Sequence, residues 1–340
     1  ACTAVGTYEY SSDVFATLAE VWNGTRWTVQ TTPNPKDAID SYLDAVSCSS
    51  ATACTAVGQY ESSSYAEVTL AEVWNGTSWT VQTTPNPSGA FYGTELYGVS
   101  CSSPVACTAV GTYEYRSGVS ETLAEVWNGT SWTIQTTANP KGDTGTSLHG
   151  VSCRSATACT AVGGNSSVTS EALAEVWNGT SWRVQTTPNP EGGTDSYLDA
   201  VSCSSAAACT AVGTYDNRSG AEVTLAERWN GTSWRVQTTP NPSRAAMDLP
   251  PDTELDGVSC SLATACTAVG TFFNRSRTQV TLAERWNGTS WAVQTTPNPS
   301  GAVYGSQLYG VSCRSATACT AVGSYVGSVD DDAFAETEDP

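Results

Sequence analysis

Six times in 340 residues the chain repeats Val-Ser-Cys, ending at Cys48, Cys101, Cys153, Cys203, Cys260 and Cys313, with steps of 53, 52, 50, 57 and 53 residues. A period near 50 restricts the fold to a solenoid or a radial array, and the content of one unit decides between them. The second unit holds four strand-length segments: Leu43 to Cys48, Ala53 to Tyr60, Thr69 to Trp74 and Ser78 to Thr83. They are rich in Val, Thr, Trp and Cys, too short for helical periodicity, and separated by Gly and Pro. Between Trp74 and Trp79 lies Asn-Gly-Thr-Ser. Asn-Gly favours a tight hairpin because both central residues take φ > 0, so the third and fourth segments are expected to be antiparallel neighbours. Pro85 and Pro87 lack the N–H a ladder needs and end the fourth strand.

The fold class that follows is all-β, a β-propeller of four-stranded antiparallel blades. Radial packing leaves only short protected edges. A parallel β-helix has shorter rungs and needs no hairpin in every unit, and independent sandwiches need more than 50 residues each to bury a core. The chain supplies six first strands, seven second, seven third (the last degenerate) and six fourth. Seven blades is the expected count and six the competing one. Residues 1–329 form the propeller, and 330–340 are a degenerate strand and acidic tail.

Each unit pairs two cysteines across five residues, spacing that lets their Cβ atoms face each other at a hairpin base. The expected disulfides, one per blade at the first hairpin, are Cys48–Cys54, Cys101–Cys107, Cys153–Cys159, Cys203–Cys209, Cys260–Cys266 and Cys313–Cys319. Cys2 is left over as an unpaired thiol. A redox pair would favour C-x-x-C, and zinc would need the pairs gathered with histidine. No metal and no cofactor is expected.

Six tryptophan pairs flank the hairpins: Trp22/Trp27, Trp74/Trp79, Trp127/Trp132, Trp177/Trp182, Trp229/Trp234 and Trp286/Trp291. Identical rings at one place in every unit read as blade-to-blade packing rather than as twelve ligand platforms. The Asn-Gly-Thr triplets are formally glycosylation acceptors, but their shared context explains them first as turns.

Thirteen cysteines without metal-type clustering point to an oxidising compartment, secreted or cell-surface. A formal charge of -19 opposes nucleic acid and anionic lipid as partners, and no apolar run is long enough to span a membrane. The sequence starts at Ala1 without a leader, which fits a mature form or a fragment.

In an up-and-down blade the disulfide loop and the Asn-Gly turn share one face and hardly vary. The opposite face carries the second-to-third loops and the connections between units, which differ in length and residues. The connection after Pro242 is twice as long as that after Pro190. Rigidity on one face and variation on the other is how a scaffold presents a binding surface. Tyr8, Tyr60, Tyr113, Tyr215, Phe272 and Tyr325 follow the glycine of Cys-Thr-Ala-Val-Gly by two positions, with Asn165 in that place in the fourth unit. They are the ligand-binding candidates. The alternative is that these rings cover strand ends.

No catalytic residue is expected. His149 is the sole histidine, and Asp44 and Tyr97 fill the matching position elsewhere. Glu20, Glu72, Glu125, Glu175, Glu227, Glu284 and Glu336 recur in every unit, which reads as a structural hydrogen bond, since one active site would break the symmetry.

The unit resembles Asp-box (sialidase-type) propellers, and especially the photosystem-assembly propellers of plants and cyanobacteria. The resemblance is carried by Val57-Gly58 and Asn75-Gly76-Thr77-Ser78-Trp79 and their equivalents. The sequence is also similar to secreted repeat proteins of high-GC Gram-positive bacteria. The resemblance implies a propeller with this hairpin on an outer edge. It does not bring sialidase chemistry, because no arginine-triad motif is recognisable, nor a photosystem role, because the basic patch is lacking. The expected function is a lectin-like, carbohydrate-binding extracellular module for glycans or a cell-surface polymer. The alternatives are a protein-interaction or structural envelope module, with an extracellular protein as partner, and more distantly a glycoside hydrolase.

Overall fold

A computed structural model describes residues 2–11, 14–166, 170–242, 253–328 and 331–338. The long connection after Pro242 and the extremities of the acidic tail lie outside them. All described regular structure is β. The first sheet is β1 (Cys2–Ser11), β2 (Val14–Trp22) and β3 (Trp27–Gln30). The second is β4 (Ala38–Ser50), β5 (Ala53–Ser62), β6 (Glu67–Trp74) and β7 (Trp79–Gln82). The third is β8 (Ala90–Ser103), β9 (Ala106–Tyr115), β10 (Ser120–Trp127) and β11 (Trp132–Gln135). The fourth is β12 (Thr146–Ser155), β13 (Ala158–Asn165), β14 (Ala172–Trp177) and β15 (Trp182–Gln185). The fifth is β16 (Thr194–Ser205), β17 (Ala208–Asp216), β18 (Glu222–Trp229) and β19 (Trp234–Gln237). In the sixth, β20 (Thr253–Leu262), β21 (Ala265–Phe273), β22 (Gln279–Trp286) and β23 (Trp291–Gln294) follow the same order. The seventh group is β24 (Gly305–Ser315), β25 (Ala318–Val326) and β26 (Asp331–Glu338), joined to β22 by a single parallel bridge, Gln279 to Gly305.

Two compact units divide the chain. One comprises 1–161 and 175–184, the other 162–174 and 185–340.

Within a repeat the register is fixed by side chains. Cys48 lies opposite Cys54 with Cα atoms 3.9 Å apart, and a disulfide joins them. The same bridge closes Cys101–Cys107, Cys153–Cys159, Cys203–Cys209, Cys260–Cys266 and Cys313–Cys319. Cys2, opposite Trp22, belongs to none of the six. Gly58 explains its own conservation from unit to unit. A Cβ there would lie 2.1 Å from the Tyr42 carbonyl oxygen, where the first strand crosses the second. At that crossing the first strand bulges. The register skips Asp44, and likewise Tyr97, Asp199, Asp256 and Tyr309. A bulged residue is released from the ladder and its side chain re-aimed.

Consecutive repeats pack through small layered cores. In the first unit Leu96, Val99, Leu123 and Trp132 close on Val57 and Ala71 of the preceding repeat. The second tryptophan of a pair seals this joint. Trp79, Trp132, Trp182, Trp234 and Trp291 are all buried. In four joints its indole N–H donates to the glutamine ending the previous repeat: Trp79 to Gln30 (2.8 Å), Trp132 to Gln82 (2.7 Å), Trp182 to Gln135 (2.8 Å) and Trp234 to Gln185 (2.8 Å). The first tryptophans Trp22, Trp74, Trp127, Trp177 and Trp229 are half-buried and lean on their hairpin partners at 5.8–5.9 Å. The serine of Val-Ser-Cys adds a stitch: Ser47 Oγ accepts the Cys101 N–H at 2.9 Å, and Ser100 that of Cys153.

Candidate functional site: the variable ends of the repeats

Antiparallel pairing places the loops. Because β4 pairs β5 from Ala38↔Ser62 to Ser50↔Ala53, the disulfide turn lies at one end of the sheet, and the incoming connection meets the β5–β6 loop at the other. Ser63 N–H donates to the Asp37 carbonyl across that meeting point. The disulfide end is uniform. Asn75 Oδ1 accepts from Thr77 N, Thr77 Oγ1 and Ser78 N at 2.7–3.0 Å, and Asn23, Asn128, Asn178, Asn230 and Asn287 accept in the same way from their own turns. Gly76, at φ 94°, completes the turn where a Cβ-bearing residue would be strained.

The other end differs in every repeat. Tyr8 is exposed. Tyr60, Tyr113, Tyr215 and Phe272 are half-buried and pack on the repeat cores, so they cap strand ends. Tyr113 also donates to Glu121 Oε2 at 2.6 Å, and burial together with that bond raises its pKa. Tyr325 sits edge-on to Phe334. Asn165 is buried, its Oδ1 accepting the Glu171 N–H at 2.9 Å. The structure leaves each of these seven in its own repeat.

Other rings stand out further. Tyr65 is 79% exposed, Tyr10 72% and Tyr304 69%. Exposed Phe91 carries the Arg116 guanidinium 3.8 Å above its ring. Tyr65 belongs to the β5–β6 loop and Tyr304 to the connection before β24, while Tyr10 lies near the end of β1 and Phe91 near the start of β8, all near the variable ends of their repeats. Tyr65 takes a left-handed φ of 60°.

The bulged residues make a second chemical feature. In the first unit, burial first and then Glu95 push the Asp44 carboxyl up to about 7. Tyr97 donates to Glu95 and meets the His149 ring edge-on at 5.4 Å, while His149 Nε2 contacts Ser147 Oγ at 3.0 Å. In the second unit Asp256 is pushed up to about 8, by burial and then by Glu254, although Gln307 donates to it at 3.2 Å. Burial penalises the charged form of these carboxyl groups and keeps them protonated to a higher pH than an ordinary carboxylate.

The recurring glutamates meet the structural hydrogen bond expected of them unevenly. Glu72, Glu125, Glu175, Glu227 and Glu284 are 0% exposed. Only Glu175 is well satisfied, accepting Thr122 Oγ1 at 3.1 Å and the Ala138 N–H at 3.0 Å. The other repeats carry proline where Ala138 stands: Pro33, Pro85, Pro188 and Pro240. Proline has no N–H to give. Glu227 lacks the hydroxyl as well, because Ala172 occupies the place of Thr122. Burial accordingly pushes Glu125, Glu227 and Glu284 up to about 8 and Glu72 and Glu175 to about 7. These are neutral acids of the core.

No protein-family model matches the chain, and no curated protein matches its sequence. Solved structures do match. YCF48 from Cyanidioschyzon merolae aligns with a TM-score of 0.51 at 12% identity, over 90% of this chain and 85% of that one. A protein of unknown function from Dyadobacter fermentans gives 0.52 at 7% identity, over 86% and 93%. Trypanosoma rangeli sialidase in complex with sialic acid gives 0.50 at 9% identity, over 93% of this chain but 56% of that one. At such identities the likeness shows the fold, a β-propeller built of four-stranded antiparallel sheets.

Proposed function

We propose that this chain is an extracellular, non-catalytic recognition module that binds glycans or a cell-surface polymer through the variable ends of its repeats. The observation that carries this reading is where the exposed rings lie. Tyr8, Tyr10, Phe15, Tyr65, Phe91 and Tyr304 stand at the variable ends and Tyr309 at a bulge within β24, while among the described residues the disulfide ends expose Val105 and Leu262 but no Tyr or Phe. Aromatic faces stack on the C–H faces of sugars, and the surrounding Ser, Asn, Asp and Glu supply hydrogen bonds to hydroxyls. Weak sites repeated along a scaffold gain avidity on a repetitive target. The six disulfides fit an oxidising, extracellular setting. The same reading takes the blade count as seven, from seven second-type and seven third-type strands.

A glycan array with the intact chain tests it. Binding to a defined set of glycans is expected, weakened by Tyr65→Ala and Phe91→Ala and untouched by Val105→Ala. Silence across the array, or binding indifferent to both ring substitutions, overturns it. A second reading rests on the Arg116–Phe91 pair, since arginine and aromatic residues are enriched at protein interfaces. A protein partner recovered from the envelope and lost with Arg116→Ala would select that reading.

A further inference from the structure

Four hairpins between second and third strands share one turn. Tyr65, Gly118, Gly220 and Arg277 each donate an N–H to the carbonyl three residues back, at 2.8–2.9 Å, and each takes a φ between 59° and 77°. Arginine occupies the tip in three of them: Arg116 in the third repeat, Arg218 in the fifth and Arg275 in the sixth, whose incoming connection lies outside the described residues. Arg218 shows what this position pairs with. Its Nη2 donates to Glu191 Oε1, in the connection entering its own repeat, at 3.5 Å. In the third repeat Ser88 stands at the place of Glu191, following Pro87 as Glu191 follows Pro190. Arg116 is exposed and pairs with no carboxylate among the described residues. Its guanidinium lies 3.8 Å above the exposed Phe91 ring instead. Glu121 of the same hairpin accepts the Tyr113 and Tyr115 hydroxyls, at 2.6 and 3.5 Å.

We infer that Arg116, held on Phe91, is a binding site for the carboxylate of an acidic glycan. The inference rests on the glycan reading above and names its ligand class. A guanidinium stacked on a ring keeps the donors of its planar fork at its edge, where they match the two oxygens of a carboxylate. Being already held in place, it loses little further freedom on pairing. A sugar acid carries that carboxylate and an apolar C–H face on one ring, matching a guanidinium and an aromatic ring 3.8 Å apart. An acidic peptide side chain has the carboxylate without the face. The formal charge of -19 does not forbid the contact, because exposed charges more than about 8 Å apart are largely screened at physiological salt.

The test immobilises polygalacturonate, alginate, hyaluronan and unsulfated heparosan, each beside its carboxyl-reduced neutral form, and titrates the intact chain over them. Saturable binding to at least one carboxylated polymer is expected, weakened about tenfold or more by carboxyl reduction, the loss of a charge-assisted hydrogen-bonded pair. Arg116→Gln should cause a similar loss on the carboxylated polymer and none on the reduced one. Ser88→Glu, which offers Arg116 the partner that Glu191 gives Arg218, should act in the same direction. Arg314→Gln, at an exposed arginine beside the Cys313 bridge, removes one charge and should change nothing. Circular dichroism checks the fold of each variant. Binding of neutral glycans alone, or of both forms of a polymer equally, overturns the inference and leaves the glycan reading standing. Silence on every glycan overturns both. Indifference to Arg116→Gln also overturns the inference. So does displacement by hexaglutamate as effective as by a hexasaccharide of the bound polymer, which would select a protein ligand.

Discussion

Trp132 reaches 2.7 Å across a repeat boundary to donate its indole N–H to Gln82, whereas Trp291, equally buried, has no acceptor for its N–H among the described residues. The difference lies in the glutamine. Gln237, the residue at that place before Trp291, spends its Nε2 on its own strand's carbonyls. Gln82→Leu should therefore cost about 1–3 kcal/mol, because a buried donor is left unpaired. Gln237→Leu should cost under about 0.5 kcal/mol, the ordinary range for a surface substitution, because it leaves no buried donor newly unpaired. Urea unfolding of the two variants checks the contrast.

Stability should fall as pH rises. Glu125, Glu227 and Glu284 have folded pKa values of about 8 against an ordinary 4.5, so the folded chain holds protons that the unfolded chain releases. Their contribution is complete below pH 4.5 and is lost progressively up to about 8, the sign linkage requires. Melting temperature measured from pH 4.5 to 8.5 should decline through that window. Glu125→Gln should flatten part of the decline and raise the melting temperature at pH 8. A stability maximum on the alkaline side would contradict the burial of neutral acids.

Ala138→Pro should raise the pKa of Glu175 by removing the N–H that holds it down. Carboxyl infrared bands followed by pH titration, compared with those of Glu175→Gln, read the change directly.

Two glycines at equivalent positions should respond in opposite ways. A Cβ on Gly111 would fall 1.8 Å from the Glu95 carbonyl, and one on Gly6 meets nothing within 4 Å. Gly111→Ala should destabilise by roughly 2–4 kcal/mol through backbone displacement. Gly6→Ala should be neutral or gain a few tenths of a kcal/mol by restricting the unfolded chain. Thermal melts of the pair decide it.

Replacing Cys101 and Cys107 together by alanine should cost about 2 kcal/mol, as expected for a short closed loop. Non-reducing peptide mapping should find all six bridges local. A sulfur linked between repeats would contradict the fold.

The strands and their pairing were legible because they are local. A hairpin turn, a cysteine spacing of six residues and a proline stop can all be read within one unit. The chemistry of single residues was not legible in that way. Asp44 and Tyr97 look like ordinary alternating positions, and only the skipped register shows that they are bulged. Glu175 and Glu227 sit in the same Leu-Ala-Glu motif. What separates them is whether the preceding repeat offers Thr122 and Ala138 or Ala172 and Pro188, some 37 to 55 residues earlier. Tyr60 and Tyr65 differ likewise. The ring in register with the other repeats was drawn into packing, while the ring out of register was left in solvent.

Each sulfur bridge begins and ends inside a single unit. Duplicating or deleting a whole unit in the gene would therefore strand no thiol, and every bridge could form as soon as its own seven residues reached an oxidising compartment. An ancestry by tandem copying could lengthen or shorten such a protein without ever having to re-invent its cross-links.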